Sequence, residues 1–130
     1  MNVNVIIIDD DPITVHLHQL LLKKSELTMN PMGFLNGQKA LDHLDAREHW
    51  DTPLLLLLDI NMPWMSGWEL LEQINLRPYA EHVFVIIISS SVDTNDRKKG
   101  KTFKQVIGHL EKPIDVIALR NDLKTLDVFR

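Results

Sequence analysis

The sequence predicts an α/β fold in which five parallel strands form one open sheet, with helices covering both faces. Three short apolar runs, at residues 5–8, 54–58 and 83–88, contain no polar side chain. Such runs are typical of strands that are buried on both faces of a parallel sheet. Segments with helical periodicity separate the runs, and this alternation predicts right-handed βαβ units in a single sheet.

The other two strands have weaker signals. Residues 28–35 and 106–110 contain several apolar side chains, but glycine and polar residues interrupt both segments. They nevertheless fall where the alternation of strands and helices requires a strand. With them the sheet has five strands, each followed by a helix.

The first helix is predicted to begin at Pro12. Proline is favoured at the first helical position, and the side chain of Asp11 before it can accept a hydrogen bond from a free backbone N–H. The apolar residues that follow recur at helical spacing: Ile13, Leu17, Leu20 and Leu21.

Four further helices are expected. Residues 38–47 have a helical apolar pattern, and Ser66 and Glu69 have the spacing of a capping box before the next helix. Residues 94–104 have few apolar side chains, which predicts a short exposed helix. The last helix follows Pro113, with its apolar residues on one face: Val116, Leu119, Leu123 and Leu126.

The composition bounds the class of protein. The chain has 130 residues, 14 Lys and Arg against 18 Asp and Glu, a formal charge of −4 and no cysteine. This length predicts one domain over residues 1–130, with no output domain. The lack of cysteine excludes disulfides, thiolate metal sites and cysteine nucleophiles. The negative charge offers no overall attraction for nucleic acid or an anionic membrane, so neither is an expected partner.

The amino terminus does not have the pattern of a secretory signal. It lacks a positively charged segment, and acidic residues directly follow its short apolar run. The longest apolar runs are far shorter than the roughly 20 residues that a membrane helix requires. We therefore expect a cytoplasmic protein.

Polar residues follow four of the predicted strands. Asp9 and Asp10 follow the first, Asp59 the third, Ser89 the fourth and Lys112 the fifth. Because ligands of open parallel sheets bind outside the carboxyl ends of the strands, these side chains are expected to lie together. Three neighbouring carboxylates repel one another unless a cation or raised pKa values relieve them.

The donor atoms predict the type of cation. Oxygen ligands without histidine or cysteine favour a hard cation, Mg²⁺ above all, with Mn²⁺ or Ca²⁺ as alternatives. Mg²⁺ often shares its shell with phosphate oxygens, which makes a phosphoryl group the next expected ligand. Lys112 would supply positive charge to it and Ser89 a hydroxyl donor. Asp59, at the end of the central strand, is the candidate nucleophile for an acyl phosphate.

Four separated motifs occur in order along the chain. They are IIIDDDP at residues 6–12, LDINMP at 58–63 followed by MSG at 65–67 and EL at 69–70, a serine at 89, and EKP at 111–113. Together they resemble the receiver domain of two-component response regulators, in a stand-alone form similar to chemotaxis regulators. The resemblance spans essentially the whole chain.

The resemblance implies a flavodoxin-like (βα)5 sandwich of three layers with strand order 2-1-3-4-5. It implies that Asp59 accepts a phosphoryl group from a sensor histidine kinase or a phosphotransfer protein. The chain would promote only its own phosphorylation and dephosphorylation. It would then act on a downstream protein that the sequence does not identify, as a monomer or a weak dimer.

Site roles follow from the same resemblance. Asp10 and Asp59 would bind Mg²⁺ directly, together with the main-chain carbonyl of Asn61. Asp9 would act on the ion through water. Lys112 would pair with the phosphoryl oxygens.

The switch expected from the resemblance departs from the usual family pattern. Ser89 would move toward the phosphoryl group, and an aromatic residue before the lysine usually couples to such a serine or threonine. Here the aligned residue is His109, whose ring could take the same part. Ser66 replaces the usual aspartate before the glycine, which a capping box tolerates. The bond between Lys112 and Pro113 is often cis in this family.

Other functions share parts of this pattern. A phosphoaspartyl hydrolase of the haloacid-dehalogenase type needs a second aspartate two residues after the nucleophile, where this chain has Asn61. A flavodoxin-like electron carrier binds the flavin phosphate after the first strand, where Asp9 and Asp10 would repel it. A degenerate receiver, which binds proteins without phosphorylation, stays open as the alternative.

The basic run within residues 97–104 is expected to be a solvated helix face. A protein-docking surface is the second interpretation. Nucleic-acid binding is disfavoured because no aromatic side chains alternate with the basic ones.

Overall fold

A sheet of five parallel strands lies at the centre of the computed structural model, which describes residues 3–28, 30–91, 93–126 and 129. The order across the sheet is β2-β1-β3-β4-β5, and all neighbours are parallel. The predicted fold class and strand order are confirmed. The strands are β1 (Asn4–Ile8), β2 (Met32–Phe34), β3 (Leu54–Asp59), β4 (Val83–Ser89) and β5 (Val106–Glu111).

Five α-helices connect and follow the strands: α1 (Pro12–Lys24), α2 (Gly37–Ala46), α3 (Gly67–Asn75), α4 (Thr94–Gly100) and α5 (Val116–Lys124). Each begins after a polar cap whose side chain accepts a backbone N–H from the first turn: Asp11, Asn36, Ser66, Asp93 and Asp115. The capping box of Ser66 and Glu69 is present. None of the helices in the described part of the chain is long and apolar enough to cross a membrane.

Alternation of side chains along the strands divides the core in two. One set packs against α2 and α3, and its strand members are Ile6, Ile8, Leu54, Leu56, Leu58, Val83, Val85 and Ile87. The other set packs against α1 and α5, and its strand members are Val5, Ile7, Leu55, Leu57, Ile86 and Ile88. Because both faces are covered, every position of the central strands must be apolar, which explains the uninterrupted runs.

Helix α1 packs on a face other than its apolar stripe. The residues it buries are Val15, His18 and Leu22, and of the predicted stripe only Leu21 is partly buried against the core. Three residues of that stripe are exposed: Ile13, Leu17 and Leu20. The apolar spacing correctly predicted a helix but not which of its faces packs against the sheet. Two of the three residues buried on that face are a valine and a histidine rather than leucines.

Two predicted elements are shorter than expected. β2 has three residues instead of 28–35, because Pro31 directly before it has no N–H to donate to a sheet ladder. Residue 29 of the predicted strand lies outside the described residues. α4 ends at Gly100 rather than at residue 104, since glycine is a poor helix former.

Buried His18 ties α1 to the segment before α5. Its Nε2 accepts the backbone N–H of Ile114 at 3.3 Å. Burial lowers the pKa of His18, with the charge of Asp9 opposing the shift and that of Lys112 adding to it. A proton on Nε2 would face the Ile114 N–H, so the contact requires an unprotonated acceptor.

We expect the protein to lose stability in acid partly through His18. The unfolded chain, whose histidine pKa stays near 6.5, binds a proton that the folded chain disfavours. The free energy of unfolding should therefore fall as the pH drops below that value. His18→Gln keeps an acceptor without titrating, so its stability should depend less on pH in urea titrations between about pH 7.5 and about pH 5.5.

His16→Gln is the matched control, because His16 is exposed on the same helix. It should retain the pH dependence of the wild-type chain. Equal pH dependence of the wild-type and His18→Gln proteins would show that His18 is not involved.

Candidate functional site

The carboxyl edge of the sheet brings together the polar residues that follow the strands. Asp59 is the last residue of β3 and Ser89 the last of β4. Asp9 directly follows β1, and Lys112 directly follows β5. The parallel register pairs Asp59 with Ile88 and Ser89 with Glu111, so these strand ends lie side by side.

Three aspartates form a cluster at this edge. Asp9, Asp10 and Asp59 each offer a carboxylate oxygen, and these oxygens lie within 4.8 Å of one another. Asp9 and Asp59 are buried, whereas Asp10 is exposed. We call these three residues with Lys112 the acidic site.

Lys112 is the cation of the acidic site. Its Nζ lies 2.7 Å from Asp9 Oδ2 and 3.5 Å from Asp59 Oδ2. Burial disfavours the charged ammonium, but the hydrogen bond to Asp9 and the charge of Asp59 outweigh burial and raise the pKa of Lys112. Lys112 is therefore a permanent positive charge beside both buried carboxylates.

The Asp59 carboxylate is held by its own loop. Its Oδ1 accepts the backbone N–H of Asn61 at 3.1 Å, while its Oδ2 faces Lys112. Burial and then the charge of Asp9 raise the pKa of Asp59 against the opposing effect of Lys112. The carboxylate is thus oriented but incompletely neutralised.

The acidic site fits a hard divalent cation. Three carboxylates face one ammonium, so negative charge remains in excess at a partly buried position. All candidate ligand atoms in the cluster are oxygens, the type that Mg²⁺ prefers. A divalent cation would relieve the repulsion that burial and Asp9 impose on Asp59.

Ser89 is buried next to this site, whereas the two serines that follow it are exposed. Its hydroxyl donates to the backbone carbonyl of Ser91 at 2.8 Å. Its Oγ also lies 3.2 Å from Nε2 of His109, so the expected neighbours are in contact. The sequence could not predict that Ser91 accepts this hydrogen bond, because the acceptor is its backbone carbonyl and not its side chain.

Gly67 positions the end of β3, which the sequence did not reveal. Its N–H donates to the carbonyl of Ile60 at 2.9 Å. A Cβ at this position would lie 2.7 Å from the carbonyl oxygen of Asp59 and 2.8 Å from Cα of Ile60. Only glycine lets the first turn of α3 approach the Asp59 backbone this closely.

Trp64 has an unfavourable backbone in the loop between β3 and α3. Its φ is 64°, in the left-handed region that bulky residues avoid, and 94% of the residue is exposed. By contrast Trp68 is partly buried, stacking on Phe103 and lying under the ammonium of Lys99. Of these two tryptophans near the site, only Trp64 is presented to solvent.

Exposed apolar residues lie at the edge of the sheet that carries the acidic site. Besides Trp64, Ile13 in the first turn of α1 is 78% exposed, and Ile117 in the first turn of α5 is 72% exposed. Both turns begin just after the carboxyl ends of strands. We call these three residues the apolar rim.

The basic residues of α4 and its C-terminal turn are exposed, as predicted: Arg97, Lys98, Lys99, Lys101 and Lys104. A cleft of about 260 Å³ lies between α4 and β5, and Arg97, Lys101 and His109 contribute to its lining. The predicted cis bond between Lys112 and Pro113 is also present.

Comparison with known sequences gives consistent results. The family model of the response regulator receiver domain matches residues 5–124. The chemotaxis protein CheV2 of Helicobacter pylori is 32% identical over 78 residues, which are 60% of this chain and 25% of that protein. The transcriptional regulatory protein MalR of Bacillus subtilis is 33% identical over 113 residues, which are 87% of this chain and 45% of that protein. The chain thus spans less than half the length of these relatives.

Solved structures show the same similarity over nearly the whole chain. A response regulator receiver protein from Dyadobacter fermentans has a TM-score of 0.85 and 32% identity, covering 95% of this chain and 96% of that chain. A two-component response regulator from Cytophaga hutchinsonii has a TM-score of 0.84 and 27% identity, covering 96% of each chain.

We expect Gly67→Ala to lower the free energy of unfolding by at least about 2 kcal/mol, because the methyl group collides with backbone atoms. Gly100→Ala is the matched control. There the methyl group would meet side-chain rather than backbone atoms, Cδ1 of Ile87 at 3.3 Å and Cγ1 of Val106 at 3.4 Å, and alanine is the better helix former. Urea denaturation measures both, and similar stability of the two variants would contradict the role of Gly67.

Proposed function

Because the chain belongs to the response regulator receiver domain family, we propose that it is a phosphorylation-dependent switch whose phosphoryl acceptor is Asp59. The donor is the phosphohistidine of a sensor kinase or a phosphotransfer protein. One observation carries the proposal above the others: the Asp59 carboxylate is buried, oriented by Asn61 and faced by the Lys112 ammonium.

The proposed transfer moves one phosphoryl group between two side chains. An oxygen of the Asp59 carboxylate forms a bond to phosphorus as the bond between phosphorus and the donor imidazole nitrogen breaks. The nitrogen leaves with the electron pair of that bond. The product is an acyl phosphate, which carries more negative charge than the carboxylate it replaces.

The residues of the acidic site have distinct proposed tasks. Lys112 pairs with the phosphoryl oxygens, since its Nζ is already 3.5 Å from Asp59 Oδ2. Asp10, Asp59 and the main-chain carbonyl of Asn61 would hold Mg²⁺ directly, with Asp9 acting through water. The cation supplies neutralisation of the charge that develops on the phosphoryl oxygens.

Ser89 reports the phosphoryl group to the surface. Its hydroxyl donates to the new anion, and the loops after β4 and β5 move with Ser89 and Lys112. Because His109, Arg97 and Lys101 line the neighbouring cleft, this movement changes the α4 surface. A downstream protein with an acidic surface would read the change.

The donor protein is proposed to dock on the apolar rim. Three apolar side chains from separate segments, Trp64, Ile13 and Ile117, are 72% or more exposed at the edge of the sheet that carries Asp59. Trp64 also has a φ of 64°, and backbone strain of this kind clusters at binding and active sites. Tryptophan is among the residues that contribute most to protein interfaces.

The first test is incorporation of phosphate. Acetyl phosphate with Mg²⁺ should label the wild-type chain with acid-labile phosphate, and Asp59→Asn should abolish the label because an amide oxygen is a far weaker nucleophile. A chelator should prevent labelling of the wild-type chain. Phos-tag electrophoresis and intact-mass measurement detect the product.

Asp42→Asn is the control, since Asp42 is exposed on α2. It should label as the wild-type chain does. Label on Asp59→Asn would show that another residue is the acceptor. An unlabelled wild-type chain would instead favour the phosphorylation-independent binding module.

The second test concerns docking. Trp64→Ala should slow transfer from the phosphorylated cognate kinase roughly tenfold while leaving the reaction with acetyl phosphate within about twofold. Leu76→Ala is the control, because Leu76 is 75% exposed just after α3, away from the apolar rim. Equal slowing with both donors would mean that Trp64 acts on the site and not on docking.

A further inference from the structure

The hydroxyl of Ser89 has two hydrogen-bond partners, and neither belongs to the acidic site. It donates to the carbonyl oxygen of Ser91 at 2.8 Å. It also lies 3.2 Å from Nε2 of His109. A serine hydroxyl has one proton to donate and two lone pairs that accept.

The direction of the second bond follows from the first. A carbonyl oxygen cannot donate, so the only hydroxyl proton of Ser89 goes to Ser91. The contact with His109 is then a hydrogen bond only if Nε2 carries the proton and Ser89 Oγ accepts it. The geometry assigns the Nε2–H form to His109.

The surroundings of the ring agree with this assignment. Nδ1 of His109 is buried and has no hydrogen-bond partner among the described residues. Burial and then the charge of Arg97 lower the pKa of His109, with Asp96 opposing. A neutral ring with its proton on Nε2 leaves Nδ1 as a bare acceptor and avoids a buried unpaired N–H.

We propose that His109 is a positioning residue that latches Ser89 in the unphosphorylated state by donating Nε2–H to its hydroxyl oxygen. This inference rests on the proposed function and deepens it. To donate to a phosphoryl oxygen, Ser89 must turn its proton away from the Ser91 carbonyl. When Ser89 moves toward the phosphoryl group by rotating about its Cα–Cβ bond, Oγ leaves both the Ser91 carbonyl and Nε2 of His109, so the two hydrogen bonds break together.

The exchange of bonds decides how readily the switch turns on. Ser89 gives up two hydrogen bonds between neutral groups and gains one to an anion, which is the stronger type. The hydrogen bond from His109 therefore makes it harder for Ser89 to move to the phosphoryl group, but it does not prevent this movement. Because the His109 ring lines the cleft between α4 and β5, its release also changes that cleft.

This coupling differs from one made by ring volume alone. A phenylalanine at position 109 would fill similar space but could not donate to Ser89. A glutamine carries an amide N–H at about the distance of Nε2 along the side chain. Donor and volume can therefore be separated by two substitutions at the same residue.

The experiment measures affinity for beryllofluoride, a phosphoryl mimic, with Mg²⁺ by titration calorimetry. Loss of one neutral hydrogen bond from the unliganded state should make His109→Phe bind about two- to tenfold more tightly than the wild-type chain. His109→Gln should restore the wild-type affinity. His49→Phe, at an exposed position, should leave the affinity unchanged.

A double-mutant comparison isolates the Ser89 contact. In a Ser89→Ala background, His109→Phe should no longer change the affinity, because the latched oxygen is absent. A persistent effect, or a His109→Gln variant that behaves like His109→Phe, would overturn the latch and point to packing.

Nitrogen-15 NMR of the wild-type protein gives a readout that needs no variant. It should show His109 with a proton on Nε2 and none on Nδ1 near neutral pH. The opposite form would overturn the latch while leaving Asp59 phosphorylation intact. A wild-type chain that shows the expected form but does not bind beryllofluoride would overturn the proposed function and with it the role of the latch.

Discussion

The repulsion among Asp9, Asp10 and Asp59 is the constraint on which the rest of the structure depends. Their oxygens lie within 4.8 Å of one another, and Lys112 supplies the positive charge between the two that are buried. Asp9 follows β1 while Lys112 follows β5, with β3 and β4 between them in the sheet. The ion pair therefore forms only when these four strands are correctly paired. Correct pairing of the strands is thus required both for the fold and for the geometry of the acidic site.

Burial differs between the central strand β3 and the side of the molecule formed by β5 and α4. Every residue of β3, which ends at Asp59, is buried, whereas β5 is half-buried and α4 buries only Gly100. Elements with little buried surface open and shift at lower free-energy cost. Asp59 thus stands at the end of a fully buried strand, while Ser89, at the end of neighbouring β4, contacts half-buried β5 through His109.

The sequence predicted the sheet, its helices and the residues at the acidic site, because these depend on local patterns. Uninterrupted apolar runs marked buried strands, and acids directly after them had to meet at one edge. The packed face of α1 could not be predicted, since buried His18 gains its place from a backbone partner 96 residues away. The contacts of Ser89 with the Ser91 carbonyl and of Gly67 with the Asp59 backbone could not be predicted either. They involve main-chain atoms, which every residue has, so no residue type indicates them.

The short β2 strand has a consequence for behaviour at high concentration. It forms one edge of the sheet, pairs with only Ile6, Ile7 and Ile8 of β1, and directly follows Pro31. A long flat edge would offer unpaired backbone groups to a second molecule and invite aggregation. Three residues after a proline offer too short a template for such pairing. The proline that makes this strand shorter than predicted therefore also limits pairing between sheets of two molecules at the β2 edge.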